Sequence, residues 1–192
     1  MRVVAGTVGG RRLRVPPGRT TRPTSDRVRE ALFSTLGDRA VGARVLDLYA
    51  GSGALGIEAL SRGAASAMFV EHDRRAAAVL RDNLATLDLV AAVYTSTVAQ
   101  FVRRAGEDGE PAVYDLVVCD PPYQVSSQTV AQQLSVLAHR CLSPDAIMVV
   151  ERARHGGAFA VADELLEVTD VRTYGDTVLY YVALRHSEPQ GT

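Results

Sequence analysis

Apolar positions along this chain follow two different rhythms. From residue 44 onward, short apolar runs alternate with stretches whose apolar residues recur every three or four positions. The runs at 44–49, 67–71, 91–95, 116–119 and 146–151 read as strands. Between them, 54–62, 74–88 and 127–141 read as helices, with a short helix through Phe101. In the second of these, Ala77, Leu80, Leu84 and Leu87 share one side. Two last strands, about 165–172 and 177–184, flank Gly175-Asp176 as a hairpin. Strand–helix alternation of this kind predicts an α/β fold with a Rossmann-like, seven-stranded, mostly parallel sheet and helices on both faces. The closing hairpin puts one antiparallel strand into it.

Upstream of residue 44 the pattern is different. Residues 2–15 alternate loosely around Gly9-Gly10 and read as a short hairpin, ended by Pro16-Pro17-Gly18. Thr24, Ser25 and Asp26 are good helix caps, and Val28, Ala31, Leu32 and Leu36 follow at helical spacing up to Gly37. Arg27 and Arg29 are expected off that stripe. The expected organisation is a basic hairpin-and-helix appendage at 1–37, an α/β body at 38–186 and a frayed tail at 187–192, with 108–111 a solvated loop.

Charge sharpens this division. All 21 basic residues are arginine, and eight of them lie in residues 1–29 against the single acid Asp26, a local net charge of +7. The remainder of the chain carries −8, so the formal total of −1 hides a concentrated positive end. That asymmetry points to a polyanionic partner. No apolar run approaches the roughly 18 residues of a membrane-spanning helix. The pair Arg11-Arg12 is followed by Leu-Arg-Val-Pro-Pro-Gly-Arg, not by the apolar segment of an export signal. The expected compartment is therefore the reducing cytoplasm, with Cys119 and Cys141 as free thiols. Four scattered histidines and two cysteines offer no metal-ligand spacing, so no metal is expected.

Three motifs carry chemistry. Asp47-Leu-Tyr49-Ala-Gly51-Ser-Gly53-Ala-Leu-Gly56 sits where the first strand turns into a helix, and glycines there let the backbone approach a ligand closely. Asp47, inside the strand, would repel a pyrophosphate but suit a cationic ligand end, favouring S-adenosylmethionine over a nicotinamide dinucleotide. Glu71 closes the second strand, where a carboxylate suits ribose hydroxyls. Asp120-Pro121-Pro122-Tyr123 follows the fourth strand. An exocyclic base amine is a poor nucleophile because its lone pair is delocalised into the ring. Acceptors at Asp120 and at a carbonyl held by the prolines would localise that pair, while Tyr123 stacks on the base. Cys119 reads as an inert buried thiol.

These motifs resemble class I S-adenosylmethionine-dependent methyltransferases with the (N/D)-P-P-(Y/F) signature. More narrowly, 2–13, 22–33, 46–56, 58–64 and 118–123 resemble the bacterial RsmD family of 16S ribosomal RNA (guanine-966-N2) methyltransferases. The resemblance spans nearly the whole chain, and Arg-Pro-Thr-Ser-Asp-Arg-Val-Arg-Glu at 22–30 separates it from DNA adenine enzymes sharing D-P-P-Y. It implies that Asp47, Tyr49, Gly51 and Gly53 hold the methionine end of S-adenosyl-L-methionine and Glu71 the ribose. Thr97 or the Val98 backbone would take the adenine, where such enzymes often carry a polar or acidic residue, and Thr24 and Arg27 would lie beside the cofactor. Asp120, Pro121, Pro122 and Tyr123 would hold the target base. Arg2, Arg11, Arg12, Arg14, Arg19, Arg22 and Arg29 would meet the RNA, either naked 16S RNA or the 30S subunit or its assembly intermediate, with the protein a monomer. The motif chemistry alone equally admits DNA adenine N6 or a protein glutamine amide as acceptor, and the fold admits a non-catalytic RNA-binding assembly factor.

Overall fold

A computed structural model describes residues 1–16, 25–105 and 113–185. The 108–111 loop, the 187–192 tail and the candidate residues Arg19, Arg22 and Thr24 lie outside them.

The body is one seven-stranded sheet built from β1 (Arg44–Leu48), β2 (Ser66–Glu71), β3 (Ala92–Thr95), β4 (Tyr114–Cys119), β5 (Leu142–Ala153), β6 (Leu166–Tyr174) and β7 (Thr177–Leu184). The strand order is β3-β2-β1-β4-β5-β7-β6. The first five strands pair in parallel. Only β7 runs against its neighbours β5 and β6. Central strands of such a sheet are covered on both faces, so they read as continuous apolar runs rather than alternating ones. Val45, Leu46 and Leu48 on β1 and Leu116, Val117 and Val118 on β4 are accordingly fully buried. Strand β5 is longer than its apolar run suggests, because it starts directly after the preceding helix and absorbs a register shift opposite Tyr114–Leu116.

One face of the sheet carries α1 (Asp26–Leu36), α2 (Ala54–Ser61) and α3 (Arg74–Thr86), and the other α4 (Val98–Arg104) and α5 (Ser127–Arg140). Side-chain caps fix the starts. Ser25 accepts from the Val28 amide, Asp73 from Arg75 and Ala76, Thr97 from Gln100, and Ser126 from Thr129. Helix α1 ends at Gly37, whose φ of 54° closes the turn.

The N-terminal segment makes less hairpin than its alternation suggests. Arg2 and Arg12 form a single antiparallel bridge, and Gly6 and Gly10 carry the chain round with φ of 84° and 81°. The reason is a competing partner on α2. The fully buried Glu58 carboxylate accepts the Val4 and Ala5 amides at 2.7 and 3.0 Å, and Ser61 Oγ accepts from Val8. Gly6 approaches so closely that a Cβ there would sit 1.8 Å from the Ser61 carbonyl oxygen. Val3 and Leu13 join Val28, Leu32 and Phe33 in the same core cluster as Val45 and Phe69 of the body.

The expectation for Arg29 is overturned. It is completely buried, its guanidinium donating to the Arg2 carbonyl oxygen and, at 2.8 Å, to Asp26 Oδ1. It lies on the helix stripe four residues before Phe33 and seven before Leu36, and it locks the N-terminal strand onto α1. A side chain so enclosed cannot reach a phosphate.

Candidate active site

The strand order reverses between β1 and β4: β2 and β3 lie to one side, β5 to the other. Ligands of open α/β sheets bind beyond the carboxyl ends of the strands at such a point. Here two adjoining cavities open there, with Tyr49 and Pro122 lining both.

The first cavity is reached by Asp47, Tyr49, Gly51, Asp120, Pro121 and Tyr123. Its glycine loop is tightly held. Tyr49 adopts φ of 60°, a left-handed conformation rare for a non-glycine residue, and Gly51 and Gly53 follow at 57° and 82°. A Cβ on Gly53 would lie 2.1 Å from Leu80 Cδ1, so α3 and the loop pack together only because that position is bare. The Tyr49 hydroxyl donates to Gln133 Oε1 on α5 at 2.7 Å, and burial pushes its pKa up to about 12. Asn83 of α3 ties in a second element. Its amide nitrogen donates to the Ser52 and Arg14 carbonyls, and its oxygen accepts the Arg14 amide, all within 3.0 Å. The N-terminal segment is thereby fastened to the loop, and Val15 and Pro16 border the cavity.

Asp47 does not project freely toward a ligand. It is 2% exposed, and its Oδ2 accepts the Gly56 amide at 2.8 Å. Burial, with Asp120 and Glu71 adding like charge, pushes its pKa up to about 8 against the pull of that hydrogen bond. Glu71 is also buried. Its carboxylate accepts the Gly51 amide at 2.8 Å and the Asp73 amide at 2.7 Å, and it lines neither cavity. Both acids brace the glycine loop from within.

The second cavity runs beyond β2 and β3 and is mostly apolar, with Val70, Thr97, Val98 and Val125 in its wall. Thr97 Oγ1 is engaged in capping α4, leaving Val98 as part of the apolar lining. His72 also borders it, half-exposed, with Nδ1 3.2 Å from Glu71 Oε1. Arg27 lies exposed on the first turn of α1 and borders neither cavity.

Beyond β4, the Val125 amide donates to the Pro122 carbonyl, closing a turn directly before the cap of α5. Tyr123 is left 64% exposed. Arg152 on β5, buried and bordering the first cavity, donates to the Val125 carbonyl at 2.8 Å and holds this turn from behind. Cys119 is buried, and its thiol is pushed up by burial and by Asp120, which makes it an inert packing group. Sequence reading missed Glu58, Asn83, Arg152 and Glu151, which also borders the first cavity. Glu58 had a signal, being the one charged residue in an eight-residue helix.

Comparison with known proteins fits this geometry. Residues 1–183 match a family model described as Conserved hypothetical protein 95. The chain is 37% identical over 182 residues to YlbH of Bacillus subtilis (strain 168), covering 92% of this chain and 95% of that one. It is 44% identical over 125 residues to ribosomal RNA small subunit methyltransferase D of Escherichia coli (strain K12), covering 65% of this chain and 61% of that protein.

The chain belongs to the RsmD methyltransferase family.

The solved structure of yhhF from Escherichia coli superimposes with a TM-score of 0.82 at 34% identity, covering 96% and 97% of the two chains. The RsmD sheet is thus of the Rossmann-like methyltransferase type, with one antiparallel strand as expected. No helix among the described residues is long and apolar enough to cross a membrane, and no cluster of three or more potential metal ligands occurs among them.

Proposed function

We propose that this chain transfers a methyl group from S-adenosyl-L-methionine to the exocyclic N2 amine of guanine 966 in 16S ribosomal RNA, acting as a cytoplasmic monomer on the naked RNA or on the 30S subunit or its assembly intermediate. The observation that carries the reading is the Asp120-Pro121-Pro122-Tyr123 bend. Its two prolines wall the cavity at the switch point, and its aromatic ring stands exposed beside it.

The cavities suit the cofactor. A cavity of mixed polar and apolar lining beside the glycine loop fits an amino-acid end, and an apolar slot bordered by Val70 and Val98 fits a purine. When bound, S-adenosylmethionine supplies a methyl group already activated by a sulfonium, so no covalent enzyme intermediate is needed. The chain's own work is alignment. Asp47 and Glu71 hold the glycine loop in its left-handed path. Asp120 and a carbonyl of the proline bend accept hydrogen bonds from the target amine and turn its lone pair toward the donor. As the amine gains a carbon it must release a proton, and the Asp120 carboxylate is the acceptor beside it. Tyr123 offers a face for a base drawn out of its stack. Arg2, Arg11, Arg12 and Arg14 keep their side chains at the surface, available to phosphates, with affinity that weakens with salt.

Label transfer from methyl-tritiated cofactor to naked 16S RNA, 30S subunits, duplex DNA and protein tests the reading. Label in RNA as N2-methylguanosine at position 966 supports it. Label in DNA adenine or in a glutamine amide would transfer the same chemistry to a different substrate and overturn the assignment.

A further inference from the structure

The second cavity is an apolar slot, and several polar side chains in its wall are already engaged by the fold. The Ser96 hydroxyl donates to Gln100 Oε1, Thr97 caps α4, and the Thr129 hydroxyl shares a 2.8 Å hydrogen bond with Ser126 Oγ. Gln133 is different. It is 8% exposed, and only one end of its amide is used. Oε1 accepts from the Tyr49 hydroxyl, whereas Nε2 has no hydrogen-bond partner among the described residues. An amide more than nine-tenths buried with two idle N–H donors is costly unless something outside the chain completes it.

The fold turns those donors toward the slot. Thr129 and Gln133 stand one turn apart on the same stripe of α5, and both border the slot. Helical side chains lean toward the N-terminus of their own helix. Helix α5 begins just after the turn that the Val125 amide closes on the Pro122 carbonyl, and Pro122 and Val125 border the slot as well. The head of the Gln133 amide is pinned at that end, 2.7 Å from the hydroxyl of Tyr49, which follows the last residue of β1. Nε2 is not sealed inside the core, so the slot is the space it opens to.

A ligand for this slot needs apolar faces and a lone pair in the plane of its ring. Adenine has both, with lone pairs at the ring nitrogens N1, N3 and N7. We propose that Gln133 binds the adenine ring of S-adenosylmethionine, its Nε2 donating to one of those nitrogens while Oε1 stays on Tyr49. The contact rests on the placement of the cofactor's purine in this slot, given above. It comes from α5, not from the segment after β3, where Thr97 is engaged in capping and the Val98 side chain is apolar lining. Through the Tyr49 hydroxyl the same amide joins the purine to the glycine loop, so that one side chain spans the two halves of the cofactor site. A few placed polar groups in an otherwise apolar pocket are what fix a ligand's orientation.

The test is calorimetric titration of the full-length protein with S-adenosylhomocysteine and its 1-deaza, 3-deaza and 7-deaza analogues, each of which replaces one ring nitrogen by C–H. Wild type is expected to bind one of the three about tenfold more weakly than the parent compound, because the donor is then left facing carbon. Gln133→Met keeps the length of the side chain and removes the donors. It is expected to bind the parent about tenfold more weakly than wild type does, and to bind that same analogue as well as the parent to within about twofold. Tyr49→Phe removes the hydroxyl contact but leaves the amide, and is expected to retain the analogue's penalty. Wild type binding all three analogues like the parent overturns the proposal, and that result needs no variant to fold. A penalty that persists unchanged in Gln133→Met also overturns it, as does one that Tyr49→Phe abolishes equally, since the effect would then belong to the loop. Each of these results leaves the cofactor itself standing. A wild-type protein that binds none of the four compounds would overturn the cofactor's placement and this proposal together.

Discussion

The two sides of the topological switch point are built on opposite principles. On the β1–β2 side the acids are enclosed and satisfied: Asp47 by Gly56, Glu71 by Gly51 and Asp73. The loop they brace is fixed further by Tyr49 on Gln133 and by Asn83 on Ser52. On the β4–β5 side Tyr123 is open to solvent, Asp120 and Glu151 are half-open, and one arginine, Arg152, holds the turn. The difference teaches where each side's free energy goes. On the proposed reading, the cofactor side is preorganised by internal hydrogen bonds and belongs to the folding unit. The acceptor side presents the exposed Tyr123 ring to a ligand. Damage to the first should therefore appear as lost stability, and damage to the second as lost transfer.

The largest stability effect should come from Asp47, and it depends on pH. Its carboxyl group is held up to about 8 in the folded protein against an ordinary value of 3.8. Between those two values the folded state binds a proton that the unfolded state has lost. Stability from this group is thus fully present at acidic pH and declines as pH rises toward 8, by up to about 1.4 kcal/mol per pH unit. Asp47→Asn keeps an acceptor for the Gly56 amide and removes the titration. Urea unfolding between pH 5 and 7.5 should show the wild-type midpoint falling relative to the variant. Parallel curves would mean that Asp47 is ionised in the fold.

A smaller loss is expected from Asn83→Ala. It removes one acceptor and two donor contacts that join the N-terminal segment to the glycine loop. Leaving those backbone groups unmatched should cost about 2–3 kcal/mol in chemical denaturation and weaken cofactor binding as well. If stability falls and cofactor affinity does not, the loop is held by its acids alone. The smallest stability change should come from Tyr123→Ala, within about 0.5 kcal/mol of wild type because the ring is mostly exposed. Its KM for RNA should nevertheless rise by the equivalent of about 1–3 kcal/mol of lost stacking. A marked drop in melting temperature with unchanged KM would place the ring in the core and blur the contrast between the sides.

Most of this contrast is legible in the sequence, and the illegible part has a physical cause. The strands and helices follow from periodicity because both faces of the sheet are covered, which makes the apolar runs continuous. The glycine loop and the proline bend are visible because they need unusual backbone. What cannot be read from spacing is whether a charged residue turns outward or inward. Arg29 occupies a buried stripe position but carries a charge, so periodicity and polarity point opposite ways, and the Arg2 carbonyl, 27 residues away, decides. Asp47 and Glu71 look like ligand contacts by position, and spacing does not show that Asp47 also accepts the Gly56 amide and Glu71 the Gly51 and Asp73 amides. Asn83 has no local signature at all, since its partners are 31 and 69 residues away.

The division between a preformed cofactor side and an open acceptor side meets its most direct test at Asp120. In Asp120→Ala, calorimetric titration with S-adenosylhomocysteine should give an affinity within about threefold of wild type, while single-turnover methyl transfer to RNA falls about 1,000-fold or more. Near-normal transfer would remove the bend from the chemistry, and a collapse of cofactor affinity would show that the two sides are one.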